Sequence, residues 1–316
     1  MAYFLFNYDD HHHLIPSFLE AAANAYGNPV LCKEWFSWKY TANPYGDPII
    51  YCAVDNDEIV GWVSYGRQNF LINKKVYHGA MSFDTFVAPS HQGQGIFSKL
   101  VKLVEAELKE QNIAFAINFP NSNSLPGFLK RNWKQLDIVE YWVKPKNIVA
   151  MPKIVKNIRN TFVPLSSNYE EIKKAIPSNF NQNPVGTLES QVTYDYLKWR
   201  FFTHPNAAYI VIDNEYLFSI ARIGKRGAMQ EIQIILVHWK LNEKSISRLI
   251  RDYKKKVAFD LIGFSISKNN PLRKELKKQL FIKVPTQVNV CYKIFNESLN
   301  IDVSTISLSA INYHTY

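Results

Sequence analysis

Residues 84–97 read Asp-Thr-Phe-Val-Ala-Pro-Ser-His-Gln-Gly-Gln-Gly-Ile-Phe, and this stretch limits the possible folds more than any other. The run up to Val87 is apolar and β-branched, which predicts a strand, and Pro89 cannot continue a ladder. A polar turn with Gly93 and Gly95 follows. Beyond it Phe97, Leu100, Val101, Val104 and Leu108 recur at helical spacing, which predicts a helix over 97–111. A glycine turn that opens a helix leaves bare amide N–H groups in front of the positive end of the helix dipole. That is an anion cradle, and a pyrophosphate suits it.

Two familiar cradles are excluded. A P-loop needs Lys-Ser or Lys-Thr after its last glycine, where this chain has Ile96-Phe97. A dinucleotide fingerprint needs a third glycine and an acidic partner about 20 positions on. The turn instead resembles the acyl-CoA-binding turn of the GNAT acyltransferases. That family's signature is Arg or Gln, two residues, Gly, one residue, then Gly or Ala, after a strand ending in a Val-x-Pro-like segment. Gln92, Gly95 and residues 86–89 match in type and order, while Phe97 stands where a small residue is usual. The resemblance implies that acyl-CoA is the co-substrate. Its pantetheine would pair with backbone groups of Phe86 and Val87. Gln92, Gly93, Gln94, Gly95, Ile96 and Phe97 would hold its pyrophosphate, and Asn118, Asn121 and Ser122 would line its other side. Phe128 takes the place where the family often carries a tyrosine acid.

The chain has 316 residues, 47% hydrophobic and 14% aromatic, enough for two domains with substantial cores. No run approaches a membrane span, and the start lacks the pattern of a secretory leader. Cys32, Cys52 and Cys291 form no metal spacing and leave one thiol over in any pairing, so a reducing cytoplasm is expected. His11, His12 and His13 are consecutive at a helix start and point in different directions, so no metal site is expected there. The net charge of +10 suits polyanions generally, including CoA and nucleotide sugars. Its clusters at 254–256 and 268–283 also read as solvated helix faces.

Along the chain the pattern predicts strands at 3–8, 49–54, 59–65, 70–77, 81–87, 113–119 and 138–143, with helices after Asp9-Asp10, over 35–40, over 97–111 and over 128–131. That order is similar to the GNAT order. The second half repeats it. Trp38-Lys39-Tyr40 with Pro44 is echoed by Trp199-Arg200-Phe201 with Pro205, both at an offset of 161. Strands at 209–213, 216–223, 229–237, 259–267 and 288–295 and a helix at 243–257 follow. The expected fold is α/β (α+β): two tandem GNAT-like lobes, each a mixed, mostly antiparallel twisted sheet flanked by helices. The expected division is 1–148, a linker 149–164, and 165–316. Between strand and helix the second lobe reads His238-Trp239-Lys240-Leu241-Asn242 with no glycine, so only the first lobe is expected to bind the donor.

Asp84 is the candidate general base. It lies three positions before Val87 among Met81, Phe83 and Phe86, and burial raises the proton affinity of carboxyl groups generally. His78 and His91 are alternatives. A thiolate is a fair leaving group, since a thiol's pKa is about 8.5, so direct amine attack without a tyrosine acid is expected. Trp35, Trp38 and Tyr40 could stack on an acceptor or pack a core. The chain is also similar to tandem-GNAT proteins that acylate nucleotide-linked amino sugars, which implies such an acceptor and an acetyl or short hydroxyacyl donor, with nucleic acid an improbable partner. Two rivals remain: a tRNA-dependent aminoacyl transferase of the peptidoglycan-bridge type, and a non-catalytic acyl-CoA-binding protein.

Overall fold

The computed structural model describes residues 1–26, 32–147, 149, 151–160, 162–165, 188–205, 209–241, 245–299 and 307–312. The first half runs β1 (Ala2–Leu5), α1 (Tyr8–His11), α2 (Ile15–Tyr26), α3 (Lys33–Phe36), β2 (Ile49–Asp55), β3 (Glu58–Ile72), β4 (Lys75–Val87), α4 (Ile96–Glu110), β5 (Phe115–Asn118), α5 (Leu125–Leu129) and β6 (Lys134–Pro145). The second half runs α6 (Met151–Asn157), β7 (Phe162–Pro164), β8 (Leu188–Ser190), α7 (Tyr194–Leu197), β9 (Tyr209–Asp213), β10 (Leu217–Arg226), β11 (Met229–Trp239), α8 (Ile246–Lys256), β12 (Leu261–Ser267), α9 (Leu272–Lys278) and β13 (Ile282–Ile294). A π-helical turn follows each short aromatic helix, at Ser37–Thr41 after α3 and at Lys198–Phe202 after α7.

Several boundaries differ from the sequence pattern for local reasons. Asn7, not Asp9-Asp10, caps α1, with its Oδ1 accepting the Asp9 N–H at 2.9 Å. The alternating run 70–77 is not a separate strand. It is the tip of the β3–β4 hairpin, turning at Asn73 and Lys74 with φ of 50° and 67°, the two left-handed residues of a tight hairpin turn. The helix expected at 243–257 starts at Ile246, capped by Ser245; Glu243 lies outside the described residues.

The strands form one thirteen-stranded sheet among the described residues, ordered β1-β2-β3-β4-β5-β13-β6-β12-β11-β10-β7, with β8 on β3 and β9 on β10. Only β4–β5 and β11–β12 are parallel pairs. The last strand therefore sits in the first half's sheet. β13 pairs with β5 through Cys291 and Asn118 and with β6 through Ile282 and Val143, while β6 pairs onward with β12. Buried carboxylates tie the exchange down. Glu105 of α4 takes Lys293 of β13 at 2.9 Å, and Glu140 of β6 takes Arg273 of α9 at 3.1 Å. Tyr141 of β6 donates to the fully buried Glu231 of β11.

Helix α4 lays Leu100, Val101, Val104 and Leu108 on the sheet, each burial worth about 1.5–3 kcal/mol as an upper estimate. Gly61 lets it come close, since a Cβ there would lie 2.9 Å from Ile96 and Leu100 side-chain atoms. On the opposite side one aromatic core runs between the two halves, from Phe18, Phe36, Tyr40 and Trp62 to Tyr196, Trp199, Phe201 and Phe218.

Candidate active site

The sheet opens beside the glycine turn. β4 and β5 pair only over 79–81 and 115–117, after which β4 runs on to Val87 paired on its β3 side alone. The exposed β4 edge is where an extended ligand can add as a strand. Its shape comes from a bulge. Val63 faces Thr85 and Tyr65 faces Ser82, so Ser64 opposes Phe83 and Asp84 together. Ser64 Oγ closes the bulge by accepting the Asp84 N–H and donating to the Asp84 carbonyl, both at 3.1 Å. The Thr85 N–H donates to the Tyr26 hydroxyl at 3.0 Å.

At the mouth of the opening, Gly93 and Gly95 both have φ of +77°, and the space beside each is empty. A glycine is needed there for the left-handed backbone, not for room. Gly95 is the N-cap of α4 and supplies no side-chain cap. The first bond inside the helix is Lys99 N–H to the Gly95 carbonyl at 3.1 Å, so the amides of Ile96, Phe97 and Ser98 precede it. Gln92 and Gln94 brace the turn through Nε2 to the carbonyls of Val87 and Ser90, at 3.2 and 3.5 Å. Phe97 does not close the cradle: its ring lies edge-on to Phe128 at 5.4 Å and against Gly127.

Across the opening, the Asn118 side-chain amide and the Thr85 hydroxyl are buried with no hydrogen-bond partner among the described residues. Such groups cost about 1–3 kcal/mol each unless something supplies the bond. An amide-rich extended ligand such as pantetheine fits that need, and a diphosphate fits the helix start. Asn121 and Ser122 are exposed. The Asn121 oxygen accepts the N–H groups of Asn123 and Ser124 at 3.0 and 2.9 Å and so caps the entry to α5. Phe128 is core, packed between Phe97 and Trp133.

Asp84 is buried and engaged. Its Oδ2 takes the Lys39 ammonium at 2.8 Å and the Tyr40 hydroxyl. Burial pushes the Lys39 amine down, Asp84 holds it up, and Arg200 pushes it down further. Burial, followed by the Asp84 charge, lifts the Tyr40 phenol well above its ordinary range. His78 is exposed and lies opposite Asn69 near the hairpin end of β4; His91 meets Asp55 at 3.5 Å. Neither reaches the bulge. Among the described residues no group of His, Cys, Asp and Glu is placed to hold a metal. The three cysteines are free.

Trp35, Trp38 and Tyr40 lie in the aromatic core between the halves. Trp35 faces the Lys39 ammonium, 4.7 Å from the ring centre. Trp38 stacks on Trp199 at 5.6 Å, and each indole N–H donates to the other's backbone carbonyl, at 2.6 and 2.8 Å. The offset of 161 thus becomes a reciprocal contact, with Lys39 and Arg200 at equivalent places. The sequence echo was the only signal for this pair. The Lys39–Asp84 bond had none.

The equivalent region of the second half is occupied by another segment of the chain. β11 and β12 pair over 231–234 and 261–264 and then part. Ser245 caps α8, where α4 has a bare start. Residues 307–312 lie in the gap, leaving a cavity of about 90 Å³ against β11 and β12: the Ser267 N–H donates to the Leu308 carbonyl at 2.9 Å, Ser309 bridges Ile266, and Asn312 reaches Ser190 at 3.0 Å.

Residues 12–135 match the family described as the Acetyltransferase (GNAT) domain. No curated protein matches the chain. Two solved structures are similar in fold. One is a GCN5-related N-acetyltransferase from Anabaena variabilis, 13% identical with a TM-score of 0.62. The other is a conserved protein of unknown function from Enterococcus faecalis, a probable N-acyltransferase, 12% identical with a TM-score of 0.63. Each likeness covers 93% of this chain and 73% of the other. With the glycine cradle and the parted strands, residues 12–135 form a GNAT acetyltransferase domain, and the fold over 93% of the chain is similar to that of these two solved structures.

Proposed function

We propose that the protein moves an acetyl or short hydroxyacyl group to the amine of a nucleotide-linked amino-deoxy sugar. In this reading residues 1–148 form the donor-binding lobe, 149–164 the link, and 165–316 a lobe that has lost its donor cleft. The amides at residues 93–97, in front of the α4 dipole, hold the donor diphosphate, aided by Gln92 and Gln94. The open β4 edge at Phe86 and Val87 and the unpartnered amide of Asn118 take the pantetheine, with Asn121 and Ser122 at the far rim. Bound acyl-CoA supplies an activated acyl carbon and a thiolate leaving group. Asp84 is the proposed proton acceptor for the acceptor amine, held by Lys39 and Tyr40. Tyr40 and Trp35 act through that hold, and Trp38, stacked on Trp199, backs the wall behind the acceptor.

The observation that carries the reading is the uncapped, glycine-opened start of α4 beside an unpaired strand edge. Incubation with acetyl-CoA and a panel of nucleotide-linked amino sugars tests it, by following free thiol. Release with one or more of them is expected. No release with any nucleotide-linked amine, in protein that binds CoA, rejects the acceptor class.

A further inference from the structure

The charge on this chain is concentrated. Positions 240–283 hold thirteen Lys or Arg and four Asp or Glu, a net charge of +9 against +10 for the whole chain. They span α8, β12 and α9. Both helices bury their apolar sides in one cluster, through Leu249, Ile250 and Tyr253 of α8 and Leu276 of α9, so their charged sides share the outer face.

Six of these lysines, Lys254, Lys255, Lys256, Lys277, Lys278 and Lys283, stand at one end of the second lobe, while Lys240, Arg248, Lys268 and Arg273 stand at the other ends of their elements. At the six-lysine end α8 and α9 finish, β6 ends beside Leu261, and β13 begins beside Val143. Lys254 donates to the Lys146 carbonyl at 3.1 Å, and Lys144 to the Gln279 carbonyl at 2.6 Å. One or two lysines in a last turn serve the helix dipole. Three in a row exceed that need: Lys254 faces Lys144 and Lys146, Lys256 donates to the Val211 carbonyl at 2.7 Å, and Lys255 is exposed between them. The nearby carboxylates are committed, Asp260 to Lys153 at 2.7 Å and Glu275 to Lys278 at 2.8 Å. Burial and then repulsion from Lys254 push the Lys144 amine down, which shows like charges left facing each other.

Aliphatic side chains stand among these lysines. Leu280 is 78% exposed, Val149 81% and Ile282 50%. Leu280 is held at φ of +60°, an unusual place for a leucine. Single-stranded nucleic acid is gripped by aromatic stacking, yet the large exposed hydrophobics here are aliphatic. Lysines at headgroup level with aliphatic knuckles below them are what a charged bilayer surface binds. No described helix is long and apolar enough to cross a membrane, so such contact is peripheral.

We propose that this end of the second lobe docks on an anionic lipid surface, with Lys144, Lys146, Lys254 and Lys255 at the headgroups and Leu280 and Ile282 entering the interface. The proposal does not depend on the acceptor reading, and its test needs no acyl-CoA. Purified full-length protein is sedimented with phosphatidylcholine vesicles and with vesicles that also hold phosphatidylglycerol. Pelleting with the anionic vesicles alone is expected, weakening as salt rises. Lys254→Gln with Lys255→Gln should lose roughly fivefold per lysine. Leu280→Asn, which suits the left-handed backbone, should weaken the binding left at high salt while the melting curve holds. No pelleting, equal pelleting with both vesicle types, or retention on nucleic acid without vesicle binding overturns the proposal.

Discussion

In the proposed donor site Gly95 acts through its backbone alone. With φ of +77° and open space around it, Gly95→Ala meets strain without a clash, about 1–2 kcal/mol. We expect the Kd for CoA to rise about tenfold in calorimetry, with the melting temperature falling roughly 2–4 °C. The Lys39–Asp84 pair makes a second residue-scale prediction. Breaking a buried pair on one side costs about 3–5 kcal/mol, so Lys39→Met or Asp84→Asn alone should melt early, and the double variant should regain most of the loss. If Asp84 also accepts the proton, the double variant regains stability but not turnover. Regained turnover would reduce Asp84 to a counter-ion. His204 makes a third. Burial first, then Arg200, Arg222 and Lys39, lower its pKa to about 3, so it stays neutral in the folded protein while the unfolded chain protonates near 6.5. A lowered histidine pKa contributes stability above the unfolded value, lost as pH falls from about 6.5 towards 3, at roughly 1.4 kcal/mol per unit. Melting against pH should show that acid limb, and His204→Phe should flatten it. At this scale the glycines were legible because a turn that opens a helix needs a left-handed residue. The Lys39–Asp84 bond was not, because sequence spacing does not say which of two distant charges are buried together.

At the scale of elements, the proposed donor cleft and its counterpart in the second half differ by what lies between two parting strands. The first is left to a ligand. The second holds residues 307–312, with Leu308, Ala310 and Ile311 buried. Ending the chain at residue 306 should expose the apolar edge of β11 and β12 and lower the melting temperature by several degrees. CoA affinity, which the proposal assigns to α4 and β4, should change less than about threefold. A tenfold loss would mean that the two clefts are coupled. The missing glycine at 238–242 gave the expectation that the second cleft does not take a pyrophosphate, because side chains there are bulky. The filling segment was invisible, since alternation reports which face of a strand is buried and not what lies beside it. The same limit hid the hairpin tip at Asn73, which reads as a strand until its turn residues are weighed.

For the whole molecule, the tandem order of elements was legible from the repeat of aromatic, basic and proline positions. The exchange of final strands was not, because β13 has the same pattern whether it pairs within its own half or across. Its consequence is direct: β5 and β6 are joined only through β13. A fragment of residues 1–148 should therefore aggregate or remain unfolded by circular dichroism, and adding residues 149–316 as a separate chain during refolding should rescue it. A fragment that folds and binds CoA alone would show that the exchanged strand is dispensable. The most direct test of the account is a calorimetric titration of the intact protein with CoA, repeated with Gly95→Ala. The account predicts one site per chain, weakened about tenfold by the substitution. No heat in the intact protein, or equal affinity in both, would contradict it.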